Sequence, residues 1–461
     1  MTAESGATAV HAGAVRSGVE PSAIRKVSIR LVPFVALMFF INYLDRTAIG
    51  FAGPNGMTQD LGLTAAQFGF ASGIFFAGYI ILEVPSNMAL HRFGARKWLA
   101  RIMVSWGIVA VLFTWVQNYS QLAWLRFALG VMEAGFFPGA ILFLSLWVPA
   151  RYRSRILGLF YLAQPLTTVI GAPLAGWLIR QHGLFGLEGW RVMFLGVGIP
   201  AVVVGVLAWF VLVDDPQKAK WLTTEEKDWL TGELAAENAR GDAGQHKSHG
   251  LAAAFRSGRV WILALIYFGF VYGLYALAFF LPTIISGFES QFGIKLDTMG
   301  KAWITAIPYV PAAIVLYLVT TRAARRGVKP ANIVVPAFIG GLSIPLALYA
   351  GSPFLTVAII TVTACAIFSA LPVFWTVPTQ FLTGMAAAAG IALINTFGNV
   401  AGFAAPYVTG WLKDSTGGYQ VPMFLVGGLM LLSGVLMLLL TRMGRVTTAE
   451  GTDAPATPAG H

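Results

Sequence analysis

Twelve apolar runs, each about twenty residues long, dominate this chain, and no other feature restricts its fold as severely. They lie near residues 30–51, 66–89, 98–117, 121–146, 156–179, 191–213, 260–284, 300–321, 331–350, 354–377, 384–410 and 421–441. A helix of that length spans the hydrocarbon of a bilayer, where backbone polar groups must be satisfied within the protein. The expected fold is an all-α membrane protein with twelve transmembrane helices. Charged residues make up only 11% of the 461 positions, against about 25% in a soluble protein. That deficit fits an outer surface facing lipid.

The net charge of +11 does not indicate a nucleic-acid partner, because the basic residues form no single patch. They fall instead in alternate connections: Arg25, Lys26 and Arg30 before the first run, then Arg92, Arg96, Lys97 and Arg101, then Arg151, Arg153 and Arg155. Arg322, Arg325, Arg326 and Lys329 continue the pattern. By the positive-inside rule both termini are expected in the cytoplasm, with the chain multi-pass in the cytoplasmic (inner) membrane. The segment 1–27 is polar, lacks the apolar core of a signal peptide, and is expected to be a disordered tail, as is 443–461.

Between the sixth and seventh runs lies the one long polar connection, 214–259, whose "TTEE" offers a capping box at Thr223 and Glu226. A short interfacial helix and a linker are expected there, joining two six-helix bundles at 28–213 and 260–442. An internal repeat supports the division. "APLAGWLIRQHG" at Ala172 is echoed by "APYVTGWLKDSTGG" at Ala405, and "MFLGVG" at Met193 by "MFLVGG" at Met423. Two parallel halves enclosing a central site make a transporter architecture.

Charges inside the runs point to that site, since intramembrane ionisable groups are costly and commonly functional. Asp45 and Arg46 lie roughly 20 Å into the first run at 1.5 Å per residue. As chain neighbours they do not face each other, so each needs another partner. Arg126 and Glu133, seven residues apart in the fourth run, share a helical face. Two arginines at similar depth can hold a carboxylate by forked hydrogen bonds, and two acids nearby can accept protons. Snorkelling to headgroups is the alternative for Arg126. Glu83, near the end of the second run and the Arg92–Arg96 cluster, reads as a gate latch rather than a proton site. A single cysteine, Cys365, excludes an intramolecular disulfide and any Cys-based metal centre. No G-x-x-x-x-G-K-[ST] run, metal-ligand cluster or nucleophile–base pair is present, so neither an enzyme nor an ATP-driven pump is expected. The energy source left is an ion gradient, with no cofactor.

Several motifs carry a more specific resemblance. "HRFGARK" at His91 and "LRFALGVMEAG" at Leu125 resemble the loop and arginine–glycine motifs of the major facilitator superfamily. Asn87 and His91 depart from the usual glycine and aspartate of that loop. "NYLDRTAIGFA", "DDPQKAKWLTTEEK" and "AAAAGIALINTFGNVAGFAAPYVTGW" together resemble the anion:cation symporter family, importers of organic carboxylates with protons. The resemblance implies substrate contacts from Arg46, Arg126, Tyr79, Gln164, Trp375, Thr376 and Asn395, and proton coupling at Asp45 and Glu133. It implies a gating role for Glu83, Arg92, Gly94 and Arg96. Tyr79, Gln164, Thr376 and Asn395 could equally form helix–helix hydrogen bonds, and Trp375 could be packing. The function expected is proton-coupled uptake of a sugar acid, tartrate-like or aromatic carboxylate by a monomer in the lipid bilayer. An exporter or exchanger of anions, and a membrane sensor that moves nothing, are the rivals.

Overall fold

The computed structural model describes residues 18–243, 256–378 and 384–443, and among these no strand occurs. Among the described residues, twelve helices are long and apolar enough to cross a membrane. Spans 1 to 6 are Gly18–Asn55, Ala65–Phe93, Ala95–Trp115, Tyr119–Ser145, Phe160–Ile179 and Gly189–Val211. Spans 7 to 12 are Gly258–Ser286, Thr298–Arg326, Ala331–Tyr349, Pro353–Phe374, Ala389–Thr416 and Gln420–Arg442. Their outward faces carry large apolar side chains such as Trp124, Phe210 and Phe354, a surface suited to hydrocarbon rather than water. An even number of crossings puts both described ends on one side, called here the terminal face; the other is the distal face.

Helix starts follow ordinary capping chemistry. Thr64 and Gln67 form a reciprocal capping box at the head of span 2. Side chains of Asn118, Asp297 and Ser352 accept backbone N–H groups at the heads of spans 4, 8 and 10. A helix at Thr224–Ala243 follows span 6, with Glu225 and Glu226 in its first turn, where acids complement the helix dipole.

Packing repeats with a shift of six spans. Spans 3 and 6 pack together, and so do 9 and 12; 2 and 4 match 8 and 10; 1 and 5 match 7 and 11; 1 and 6 match 7 and 12. Across the halves, span 2 packs on span 11 and span 5 on span 8, which the same shift interchanges. The crossing of span 2 on span 11 depends on glycine. A methyl group at Gly69, Gly73 or Gly410 would overlap the backbone oxygen of Pro406, Phe403 or Ala65 respectively. These residues lie in the distal half of the two spans, so the halves are closed together there.

One expectation is corrected. Among the described residues the chain is already helical at Gly18, within the segment 1–27 expected to be a disordered tail. The terminal-face end of this helix is held by the polar connection: Lys26 and Ser22 both donate to Glu226 at 2.7 Å. Glu20 accepts from Tyr152 and pairs with Arg151 at 2.8 Å. Sequence periodicity carries no sign of such partners, because they lie far apart in the chain, 132 positions for Glu20 and Tyr152 and 200 for Lys26 and Glu226. Residues 1–17 and 444–461 fall outside the described residues.

Candidate functional site

Span 1 carries Asp45 and Arg46 into the centre of the molecule, where they meet Arg126 and Glu133 of span 4. Arg126 and Glu133 are fully buried and Asp45 is 1% exposed; Arg126 therefore does not snorkel. Arg46 turns its fork onto Glu133. Nε donates to Oε1 at 3.0 Å, and Nη2 donates to the same oxygen. The remaining nitrogen, Nη1, reaches across the halves to the Tyr275 hydroxyl at 3.2 Å. Asn42, one turn before Arg46, lies beside Glu133.

Arg126 is spent differently. Its Nε and Nη2 donate to the carbonyls of Ala71 (3.3 Å), Ser72 (3.1 Å) and Arg46 (3.4 Å). Nη1 has no hydrogen-bond partner among the described residues, and neither has either oxygen of Asp45. Asp45 is thus a buried acid flanked by Glu133, Arg126 and Arg46 but bonded to none of them. Phe75 lies under both guanidinium groups, 5.0 Å from Arg46 and 5.2 Å from Arg126, and the Tyr79 ring is 5.3 Å from Arg46. Aromatic faces there supply cation–π contact.

Span 4 is broken immediately after Glu133. Its first helix ends at that residue and the next begins at Phe136. Gly135 takes a left-handed φ of 85°, a conformation natural to glycine, and any Cβ there would overlap Ser86. The freed Ala134 carbonyl accepts from the Ser86 hydroxyl at 2.6 Å. The sequence signal for this break is Pro138, which lacks an N–H and is tolerated in a first turn. Broken spans recur at transporter sites, where irregular backbone lines a cavity.

Other expected residues are distributed around this cluster. Glu83 of span 2 does not meet the Arg92–Arg96 cluster. It receives Asn395 Nδ2 at 2.8 Å and Asn399 Nδ2 at 3.2 Å, both from span 11. Trp375 is half-buried, its ring 4.8 Å from Tyr267. Gln164 is half-buried beside Tyr43, and Thr376 donates to the Val373 carbonyl. Gly94 makes the turn into span 3 with φ 87°. There the Arg96 N–H donates to Asp214 Oδ1 at 2.7 Å, and the Arg92 guanidinium lies over Phe93. An aspartate after span 6 therefore occupies the head of span 3. Tyr275, Asn399 and Asp214 were not expected from the sequence; each matters through a partner on a distant span.

Asp414, at the distal end of span 11, is a further residue the sequence did not mark. Its carboxylate accepts the N–H groups of Ala65 (3.2 Å) and Ala66 (2.7 Å) at the head of span 2. A negative charge on a helix N-terminus is stabilising. This contact joins the halves on the side where the glycines bring their backbones together.

Residues 35–406 match the Major Facilitator Superfamily model. The chain belongs to that superfamily. It is 44% identical to a protein of Agrobacterium vitis named "Putative tartrate transporter", over 93% of this chain and 94% of that one. It is 37% identical to a Quinolone resistance transporter of Acinetobacter baumannii, over 90% of this chain and 94% of that one. The fold resembles a bacterial homologue of the human lysosomal transporter Spinster, solved in an inward-facing, unoccupied conformation. The TM-score is 0.70 at 18% identity, covering 89% of this chain and 96% of the other. The superfamily member described here is a multi-pass membrane transporter, and not an enzyme.

Proposed function

We propose that this chain is a proton-coupled importer of a small organic carboxylate. It works as a monomer in a cytoplasmic membrane with the terminal face inside the cell. The basic connections on that face support the orientation, and the name of the Agrobacterium vitis relative supports the substrate class.

The observation that carries the reading is Asp45, buried and unpartnered within a cluster of two arginines and two acids. Arg46, Arg126, Asp45 and Glu133 balance their formal charges. A substrate carboxylate adds one negative charge, and an uncompensated charge in this setting costs several kcal/mol. One proton per carboxylate restores the balance, and Asp45 is the acid with no cation committed to it. The substrate's forked contact falls on Arg46, joined by the open Nη1 of Arg126. To take Arg46 it displaces Glu133, so substrate and proton act on one shared set of charges. Neutralised, the cavity closes toward the outside and opens inward as the halves rock.

Uptake by purified protein in liposomes, with labelled tartrate, sugar acids and aromatic acids, tests the proposal. Accumulation of at least one carboxylate when the outside is acid, and not without the gradient, is expected. No accumulation of any carboxylate under either condition overturns it. The Acinetobacter baumannii relative favours an export reading, for which efflux, driven by acid outside, replaces uptake in the same assay.

A further inference from the structure

Glu83 is a third acid within the membrane, and the coupling described above does not use it. It is half-buried, and both its oxygens are occupied by amide donors one turn apart on span 11. It lies one helical turn from Tyr79 on the same face of span 2, and the Tyr79 ring is beside Arg46. Along that face the order is Phe75 beneath the two arginines, then Tyr79, then Glu83. The Arg46 guanidinium lies against both Phe75 and Tyr79, and the rise from Tyr79 to Glu83 is about 6 Å at 1.5 Å per residue. Glu83, with Asn395 and Asn399 on it, is therefore the next polar group along this face beyond the arginines.

We propose that Glu83 is a specificity-determining residue that reads the end of the substrate remote from the arginines, favouring a hydroxyl there over a second carboxylate. This rests on the organic-carboxylate reading. A hydroxyl donates to a carboxylate in a charge-assisted hydrogen bond. A carboxylate in the same place meets a like charge, which a low-dielectric cavity screens poorly. The two asparagines anchor Glu83 across the halves, so the acid is presented in a fixed position. Discrimination of this kind works by repulsion of the wrong substrate as much as attraction of the right one.

Threonate and tartrate form a matched pair for the test: four carbons each, differing by a terminal hydroxymethyl against a carboxylate. The readout is the ratio of kcat/KM for tartrate over threonate in proteoliposomes at pH 7 with an imposed acid-outside gradient. Glu83→Gln is expected to raise the ratio at least tenfold, and Glu83→Asp to keep it near the wild-type value. Asn399→Lys, which neutralises the position while retaining Glu83, is expected to raise it as well and provides the test should Glu83→Gln fail to insert. A residue that only braced span 2 against span 11 would change both substrates in proportion, so an unchanged ratio in Glu83→Gln and Asn399→Lys overturns the inference alone. Wild-type protein that moves no carboxylate overturns the organic-carboxylate reading, and the inference with it.

Discussion

Asp45 and Glu133 are both buried carboxyls, but removing their charges should have opposite consequences. Glu133 is the counter-ion of Arg46, and breaking a buried pair by deleting one partner costs about 3–5 kcal/mol. Glu133→Ala should therefore lower the melting temperature in detergent substantially. Asp45→Asn removes a charge that has no hydrogen-bond partner, so thermal stability should hold or rise. If both variants lose the same stability, the assignment of Glu133 as counter-ion and Asp45 as unpaired acid is wrong. Arg126→Lys keeps the charge but loses the planar fork that spans three carbonyls. Carboxylate KM should rise at least tenfold, with an unchanged KM counting against substrate contact. That these four charges matter was legible in the sequence, because ionisable side chains stand out in apolar runs. Their pairing was not. Arg46 and Glu133 are 87 positions apart, and nothing in either run specifies that Glu133, rather than Asp45, takes the guanidinium.

Between helices, the distal contact of spans 2 and 11 combines glycine-permitted backbone approach with the Asp414 carboxylate on the head of span 2. Loss of a capping interaction costs about 1 kcal/mol, enough to shift a two-state population roughly fivefold. Asp414→Asn should thus favour the state open at the distal face. Labelling a cysteine at Ala278, in the distal half of span 7 where its backbone packs on Gly50 of span 1, in a background lacking Cys365, measures this: the substitution should speed reaction with a membrane-impermeant thiol reagent from the distal side. Equal labelling rates would remove Asp414 from the gate. The twelve spans themselves were readable from hydropathy, which depends only on local composition. The break after Glu133 was not, since Pro138 is compatible with either a continuing packed helix or a new first turn. Glu83 stands out in the sequence as a gate-latch candidate beside the Arg92–Arg96 cluster, and only the fold reveals that its partners are Asn395 and Asn399 of span 11.

Across the whole molecule, the connection between the halves is attached to the first half. Glu226 joins it to Lys26 and Ser22, while Arg151 and Arg153 of the helix entering span 5 face Glu233 and Glu237. Burial opposes the charge on Glu226, but hydrogen bonds from Lys26, Ser22 and the Thr223 backbone N–H hold its carboxyl below the ordinary value. A lowered native value contributes stability above the unfolded value, near 4.3, that is lost as pH falls through the lowered one. Limited proteolysis of the connection should accordingly accelerate below about pH 4, and Glu226→Gln should show that faster cleavage already at pH 7. Cleavage that is independent of both would detach this contact from the stability of the connection. The six-span repeat was visible in the paired motifs at Ala172 and Ala405. The packing makes it a property of the whole architecture, with spans 2 and 11 and spans 5 and 8 exchanged by the same shift.

If Asp45 carries the coupled proton, Asp45→Asn uncouples transport in proteoliposomes without abolishing it. The measurement is labelled carboxylate uptake under an acid-outside gradient, alongside exchange of labelled for unlabelled substrate with no gradient. The variant should lose gradient-driven accumulation and retain exchange, because the neutral side chain stands in for the protonated acid. Accumulation at the wild-type level in Asp45→Asn would contradict coupling through Asp45.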